Sequence, residues 1–376
     1  MSRSRVVFLL IILAAILLVA VGQIVQRLPV APTPTPLPAL QIEVAVNPLA
    51  YDWVSEQAAK FNLQQPQAEG QPLQIQVTQR DGIEVWQTGG LWSTANHPVA
   101  WIPEATFSLN YAAETGARYE ALTSSVASTS LIWGVFADRA GHIIPPVDWP
   151  NLQDATNKGS WSALGGDSGW GFVKPAFALP ERNTSGFGVL LSAAADFAKN
   201  ASLTPQNISD RNFQEWLRPV IEAVPSFTSL GQRPITILAS RSVSAADFAM
   251  LPESEWLQSF NQINSRQEIK FFYPAYKVVF DMPFAVWSGS DTTGAQRSGA
   301  KQFADFLTQA TAQKRAAAFG LRPIQIKLSD ADLSLFSAAA NAGIIIDNPP
   351  GIVVNAPTSR NSILGLLSWF KSIRSS

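Results

Sequence analysis

The chain has 376 residues, of which 15% are charged, with 27 Lys and Arg against 28 Asp and Glu and a net charge of -1. That balance leaves no basic face for nucleic acid, while 47% hydrophobic residues suffice for the core of one large or two medium domains. Cysteine is absent, which excludes disulfides, thiolate metal sites, a thiol nucleophile and a lipid-bearing cysteine.

Residues 6–22 are an unbroken apolar run preceded by Arg3 and Arg5. Positive charge ahead of such a run puts residues 1–5 in the cytoplasm and everything after the run outside. The expectation is an uncleaved transmembrane anchor over 6–22. Its alternative is a signal segment cleaved near Ala20, Val21 and Gly22, which would release a secreted protein. Residues 23–39 contain VAPTPTPLP and read as a Pro-rich, semi-rigid spacer.

Past the spacer, residues 40–46 (LQIEVAV) alternate as a strand. Asn47-Pro48 then opens a helix with Tyr51, Val54, Ala58 and Phe61 on one face, Asn47 serving as its cap. Residues 73–78 form a second strand, and strand, helix, strand is the start of an α/β sheet. Residues 82–91 read as a helix or turn, 99–102 as a strand ending at Pro103-Glu104, and 130–137 (SLIWGVFA) as a buried strand. Residues 170–174 and 235–239 also read as strands. A helical stripe follows Asp210 and carries Pro219 inside it, and 244–260 read as helical material broken at Pro252. Residues 278–287 (VVFDMPFAVW) are a second long apolar run, and 301–319 a helix ended by Gly320.

One stretch organises the rest. In PERNTSGFGVLLSAAADF (180–197) a polar turn feeds a helix whose Val189, Leu190, Ala193, Ala194 and Phe197 make one apolar stripe. Asn183, Thr184 and Ser185 are cap-type residues, and Gly186 and Gly188 allow close backbone approach. A helix start with free N–H groups can receive an anion or polar solute, and an ordinary N-cap is the alternative.

The order of these segments resembles the type II periplasmic solute-binding proteins over most of residues 40–370. The likeness is carried by QIEVAVNPLAYDWVSEQAAKFN, WIPEATFSLNYA, SVASTSLIWGVFA, DWPNLQDA, the stretch 180–197, SAADFAMLPES, FDMPFAVWSG and KQFADFLTQATAQKRAAAFGLRP. The last, with Gln313 leading to Gly320, Leu321, Arg322 and Pro323, is most similar to the branch whose binding module is often joined to a von Willebrand A domain, here expected without that domain. The resemblance implies a two-lobed α/β fold, with lobe one over 40–135 plus 280–376 and lobe two over 136–279. The apolar runs 130–137 and 278–287 would be the crossovers, unless they are simply central strands of one sheet. It also implies a non-enzymatic extracytoplasmic protein, without cofactor, that holds a small polar or anionic solute between its lobes and serves an ABC transporter or another membrane protein. Loss of solute binding, leaving a two-lobe scaffold, is the alternative. The ligand loops implied are Asn47, Ser128 with Thr129 and Ser130, Asn183 with Thr184, Ser185 and Gly186, and Tyr273. Related proteins often carry a serine where Asn47 stands.

No catalytic or metal set competes. Gly166-Asp167-Ser168-Gly169 matches the serine setting of chymotrypsin-like proteases, but His97 and His142 are the only histidines and neither lies in a recognisable histidine motif. Glu253 and Glu255 sit two apart and face opposite ways on a helix. Arg182 beside Glu181 is either a partner for an acidic solute or a surface ion pair. Trp92, Trp101, Trp161 and Trp170 fall near loops and leave a carbohydrate platform open as a further alternative.

Overall fold

The computed structural model describes residues 3–26, 38–324 and 326–375, so most of the expected spacer lies outside the described residues. The chain divides into two units, Met1–Pro38 and Ala39–Ser376. The first contains the helix Arg3–Gln26, about 36 Å long at 1.5 Å per residue, with apolar side chains from Val6 to Val21 exposed. Taken over the described residues alone, no helix is both long and apolar enough to cross a membrane.

In the second unit the strands are, in chain order, β1 (Leu40–Val46), β2 (Gln67–Ala68), β3 (Gln71–Gln79), β4 (Ala100–Ile102), β5 (Tyr119–Thr123), β6 (Thr129–Phe136), β7 (Pro175–Ala176), β8 (Phe248–Pro252), β9 (Ile269–Phe272), β10 (Tyr276–Lys277), β11 (Val279–Phe280), β12 (Phe284–Trp287) and β13 (Ile352–Val353). They build a six-stranded sheet of order β2-β3-β1-β4-β12-β5 and a second of order β11-β6-β8-β7, with β9 also on β6. β1 runs parallel to both β3 and β4, joined to β3 through the helix Tyr51–Leu63, as expected for an α/β unit. These sheets are the cores of the two lobes. A small pair, β10 with β13, stands apart from them.

The apolar run at 130–137 is the centre of the second sheet and not a crossover. All eight residues of β6 are buried, the pattern of a strand covered on both faces. The chain passes between sheets just before it, between β5 and β6. The run 278–287 does cross, because β11 pairs with β6 while β12 pairs with β4 and β5. Asp281, Met282 and Pro283 are therefore the second connection. A third strand of chain joins them where Ser128 and Arg322 form an isolated antiparallel bridge.

Other expectations also change. Residues 235–239 are helical, within Pro234–Arg241: Pro234 opens the first turn, and the buried Ile235, Leu238 and Ala239 fit the helical period better than alternation. Pro252 ends β8 and precedes the helix Glu253–Asn264, so that stretch is a strand followed by a helix. The helix Arg211–Glu222 continues through Pro219. The expected helix 301–319 is two, Gly294–Leu307 and Ala310–Ala318, and the first packs on the helix Tyr51–Leu63 and on strands of the first sheet. The final helix, Arg360–Ser375, packs instead on the second-lobe helices Pro205–Ser209 and Arg211–Glu222, which removes it from lobe one.

Gly134 shows how tightly β6 is covered. A Cβ there would stand 2.6 Å from the buried Trp256 ring, a contact real side chains avoid. Gly134→Ala is expected to destabilise the protein by about 1–3 kcal/mol through overpacking. Urea unfolding monitored by tryptophan fluorescence checks this, and an unchanged midpoint would show that the Trp256 ring yields freely.

Candidate functional site

The first sheet ends its parallel strands at the boundary between lobes, which is where an open α/β sheet offers a ligand crevice. After β1, Asn47 is fully buried and uses its whole amide. Its nitrogen donates to the carbonyls of Ile102 and Pro103 at 3.1 and 3.2 Å, and its oxygen accepts from the N–H groups of Leu49 and Ala50 at 3.0 and 3.1 Å. Two donors and two acceptor positions are all an asparagine side chain has. Asn47 ties β1, the end of β4 and the turn ahead of the helix Tyr51–Leu63 together, so its side chain has nothing left for a solute, and the N-cap of that helix is Ala50 and not Asn47 as expected.

After β3, Asp81 caps the short helix Gly82–Trp86 by accepting from the Ile83 N–H. The same carboxylate faces the second lobe, where the helix Thr184–Ala198 begins with Asn183 as its cap, as the sequence suggests. The Thr184 N–H donates to both Asp81 oxygens at 3.1 and 3.2 Å, and the Thr184 hydroxyl to one of them at 2.5 Å. Ile83 N–H in turn donates to the Thr184 hydroxyl oxygen at 3.1 Å. Thr184 does face the interlobe boundary, and the anion at its helix start is a carboxylate from the chain's own first lobe.

Behind Asp81 lies Glu104, just past β4, whose two oxygens accept from the Gly82 N–H at 3.2 and 3.0 Å. The two carboxyls hold the consecutive N–H groups of Gly82 and Ile83, and both are buried, Asp81 at 6% exposure and Glu104 at 1%. Burial raises the Asp81 pKa to about 6 and, aided by the Asp81 charge, raises Glu104 well above the carboxylate range.

Apolar packing continues this contact. Phe187, fully buried in the first turn of the second-lobe helix, meets Trp86 at 5.5 Å and Phe107 at 5.7 Å, both edge-on and both from lobe one. One hydrophobic cluster runs through both lobes. Gly186 does not open onto the boundary: a Cβ there would lie 2.1 Å from the Ala178 carbonyl oxygen, so this glycine serves packing inside lobe two.

The other expected ligand residues gather in a separate network. Ser128 exchanges backbone hydrogen bonds with Arg322, and the Thr129 hydroxyl accepts from the Ser254 N–H. The Tyr273 hydroxyl donates to Glu253, while the Arg322 guanidinium grips both Glu253 oxygens at 2.6 and 2.7 Å and the Ile345 and Ile346 carbonyls. Ser130 is buried in β6 beside them. A cavity of about 330 Å³ opens against this network, lined by Ser128, Arg322, Lys327, Leu333 and Phe336 among others. No hydrogen bond among the described residues links this set to Thr184, so the expected loops divide into two groups.

The remaining candidates have local roles. Asp167 accepts from the Gly169 N–H, capping a turn, and His97 bonds Asp291 and stacks on Trp287. Among the described residues no group of three acidic, His or Cys side chains could hold a metal ion. Glu181 pairs with Arg374 and not with Arg182. Sequence reasoning missed Asp81, Glu104, Phe187, Trp86 and Arg322 as interface residues. Asp81 and Glu84 do fit the spacing of a helix N-terminus, but no pattern says that the cap faces another lobe.

No protein-family model matches the sequence, and no curated protein does. Solved structures do match. The sulfate-binding protein SubI from Mycobacterium tuberculosis H37Rv aligns over 89% of this chain and 98% of its own at 14% identity, with a TM-score of 0.51. A periplasmic thiamin binding protein aligns over 90% and 97% at 10% identity, with a TM-score of 0.60. The ABC substrate-binding protein Lmo0181 from Listeria monocytogenes, in complex with cycloalternan, aligns over 90% and 97% at 13% identity, with a TM-score of 0.58. The chain has the two-lobed α/β fold of solute-binding proteins.

Thr184→Val keeps the shape of Thr184 but removes the hydroxyl that serves Asp81 and Ile83. It is expected to cost about 1–3 kcal/mol, the desolvation penalty of buried partners left unpaired. Thermal or urea unfolding measures this, and a neutral effect would mean that Asp81 is served by water.

Proposed function

We propose that this chain is a non-enzymatic, extracytoplasmic two-lobe module of solute-binding fold that works as a scaffold or interaction protein. One observation carries the proposal: the helix start that would receive a solute is occupied by the Asp81 carboxylate. Opening the lobes would break those hydrogen bonds and expose Trp86 and Phe187, at about 1.5–3 kcal/mol for each large apolar side chain. A solute-binding protein that works by hinge closure needs its open and closed states within a few kcal/mol.

Tethering by the helix Arg3–Gln26 is part of the proposal. It is supported by the apolar run at 6–22, by Arg3 and Arg5, and by the exposed apolar side chains of that helix. The likeness to the branch joined to von Willebrand A domains rests on residues 301–323 alone.

A second reading, capture of a small polar solute for an ABC transporter, is favoured by the structural neighbours, whose names specify sulfate, thiamin and cycloalternan as what they bind. Thermal unfolding of the full chain with each of these three separates the two. A ligand at 100 times its dissociation constant adds about 2.7 kcal/mol. The scaffold reading expects no shift with any of them. A saturable shift that survives in a variant altered at the Arg322 cavity and vanishes in one altered at Asp81 would restore solute capture between the lobes.

A further inference from the structure

We infer that Asp81 and Glu104 form a proton-sharing latch, so that the two lobes are held together while the pair keeps one proton and are released when both carboxyls ionise. This rests on the reading of the lobes as closed by their own residues. The geometry is that of an interface. Asp81 is the first-lobe group that accepts the Thr184 N–H and hydroxyl of the second lobe, and Glu104 accepts the N–H of Gly82, the residue next to Asp81. Two neighbouring carboxyls, both buried and without a counter-charge, favour keeping one proton over ionising together.

The charges around the pair do not compensate it. On its own short helix the nearest is Glu84, held by Arg80 at 2.7 Å. Past β4, Thr106 donates its N–H and hydroxyl to Asp281 in the connection between β11 and β12, and Asp281 is itself shifted upward by burial. The first turn of the second-lobe helix contributes Thr184, Ser185, Gly186 and Phe187, none of them charged. The ion pairs of the described residues include neither Asp81 nor Glu104. A second negative charge at this place has only N–H dipoles and a hydroxyl to stabilise it, in surroundings that exclude water.

The sign follows from linkage. Both carboxyls are raised in the closed state, so closure takes up a proton that an open, hydrated pair would release. The closing contribution is complete below the ordinary carboxylate range near pH 4 and is lost as pH rises through the raised values, from about 6 upward.

The test uses the full chain in detergent micelles. Since the protein has no cysteine, Gln64→Cys on the first lobe and Gln206→Cys on the second, both exposed, take a spin-label pair without further changes. The interlobe distance distribution is measured from mildly acidic to mildly alkaline pH. The latch predicts a single short distance in acid and a longer population that grows as pH rises. Glu104→Gln, which keeps the side chain's shape and an acceptor for the Gly82 N–H but cannot ionise, is expected to hold the short distance throughout. Infrared difference spectra supply a readout that does not depend on opening: the protonated carboxyl band should vanish on raising pH in the wild type and be missing in Glu104→Gln. A short distance at every pH, or the same pH response in Glu104→Gln, would overturn the latch and leave the closed module standing. Long distances at every pH would overturn both.

Discussion

A helix N-terminus buried between two lobes carries about half a positive charge and N–H groups that must find acceptors. In this protein Asp81 meets that requirement at the start of the helix Thr184–Ala198. The position of Asp81 is fixed in turn by β3 and by its capping bond to Ile83, while Glu104, just past β4, holds the N–H of the next residue, Gly82. Three crossing segments bring the lobes close, but a linked carboxylate and an aromatic contact decide that they meet.

The two kinds of contact do different work. Phe187 against Trp86 and Phe107 supplies non-directional burial, which favours any close approach. The Asp81 network is directional and penalises a poor fit, because an unpaired carboxylate there costs far more than a hydrogen bond returns. Asn47 performs a similar service one strand away, with every donor and acceptor spent inside lobe one. A fold whose neighbours are solute-binding proteins has thus placed its own side chains where the strand ends and helix starts converge.

Much of the architecture was legible in the sequence because it depends on local pattern. The alternation in LQIEVAV, the cap at Asn183 and the apolar stripe behind it each specify one element, and the order of elements specifies the two-lobed fold. Residues 235–239 misled because a short apolar run fits both strand and helix until Pro234 is seen to occupy the first turn. The run 130–137 misled because a strand buried on both faces and a crossover have the same composition. The site was less legible for a different reason. Hydroxyl and amide residues at loops announce hydrogen-bonding capacity, and sequence does not say whether the partner is a solute or another part of the chain. Asn47 and Thr184 were recognisable as polar groups at element ends, whereas the partnership of Asp81 with Thr184 spans 103 positions.

Whether the chain's own side chains pack the boundary between lobes is tested most directly by native-state hydrogen exchange of the Gly82, Ile83 and Thr184 amides, in mildly acidic buffer, against the amides of β6. If the chain's own carboxylates close the cleft, these three amides exchange only through global unfolding, with the same protection as β6. Exchange much faster than that of β6, with β6 still protected, would show that the lobes part readily and contradict a cleft filled from within.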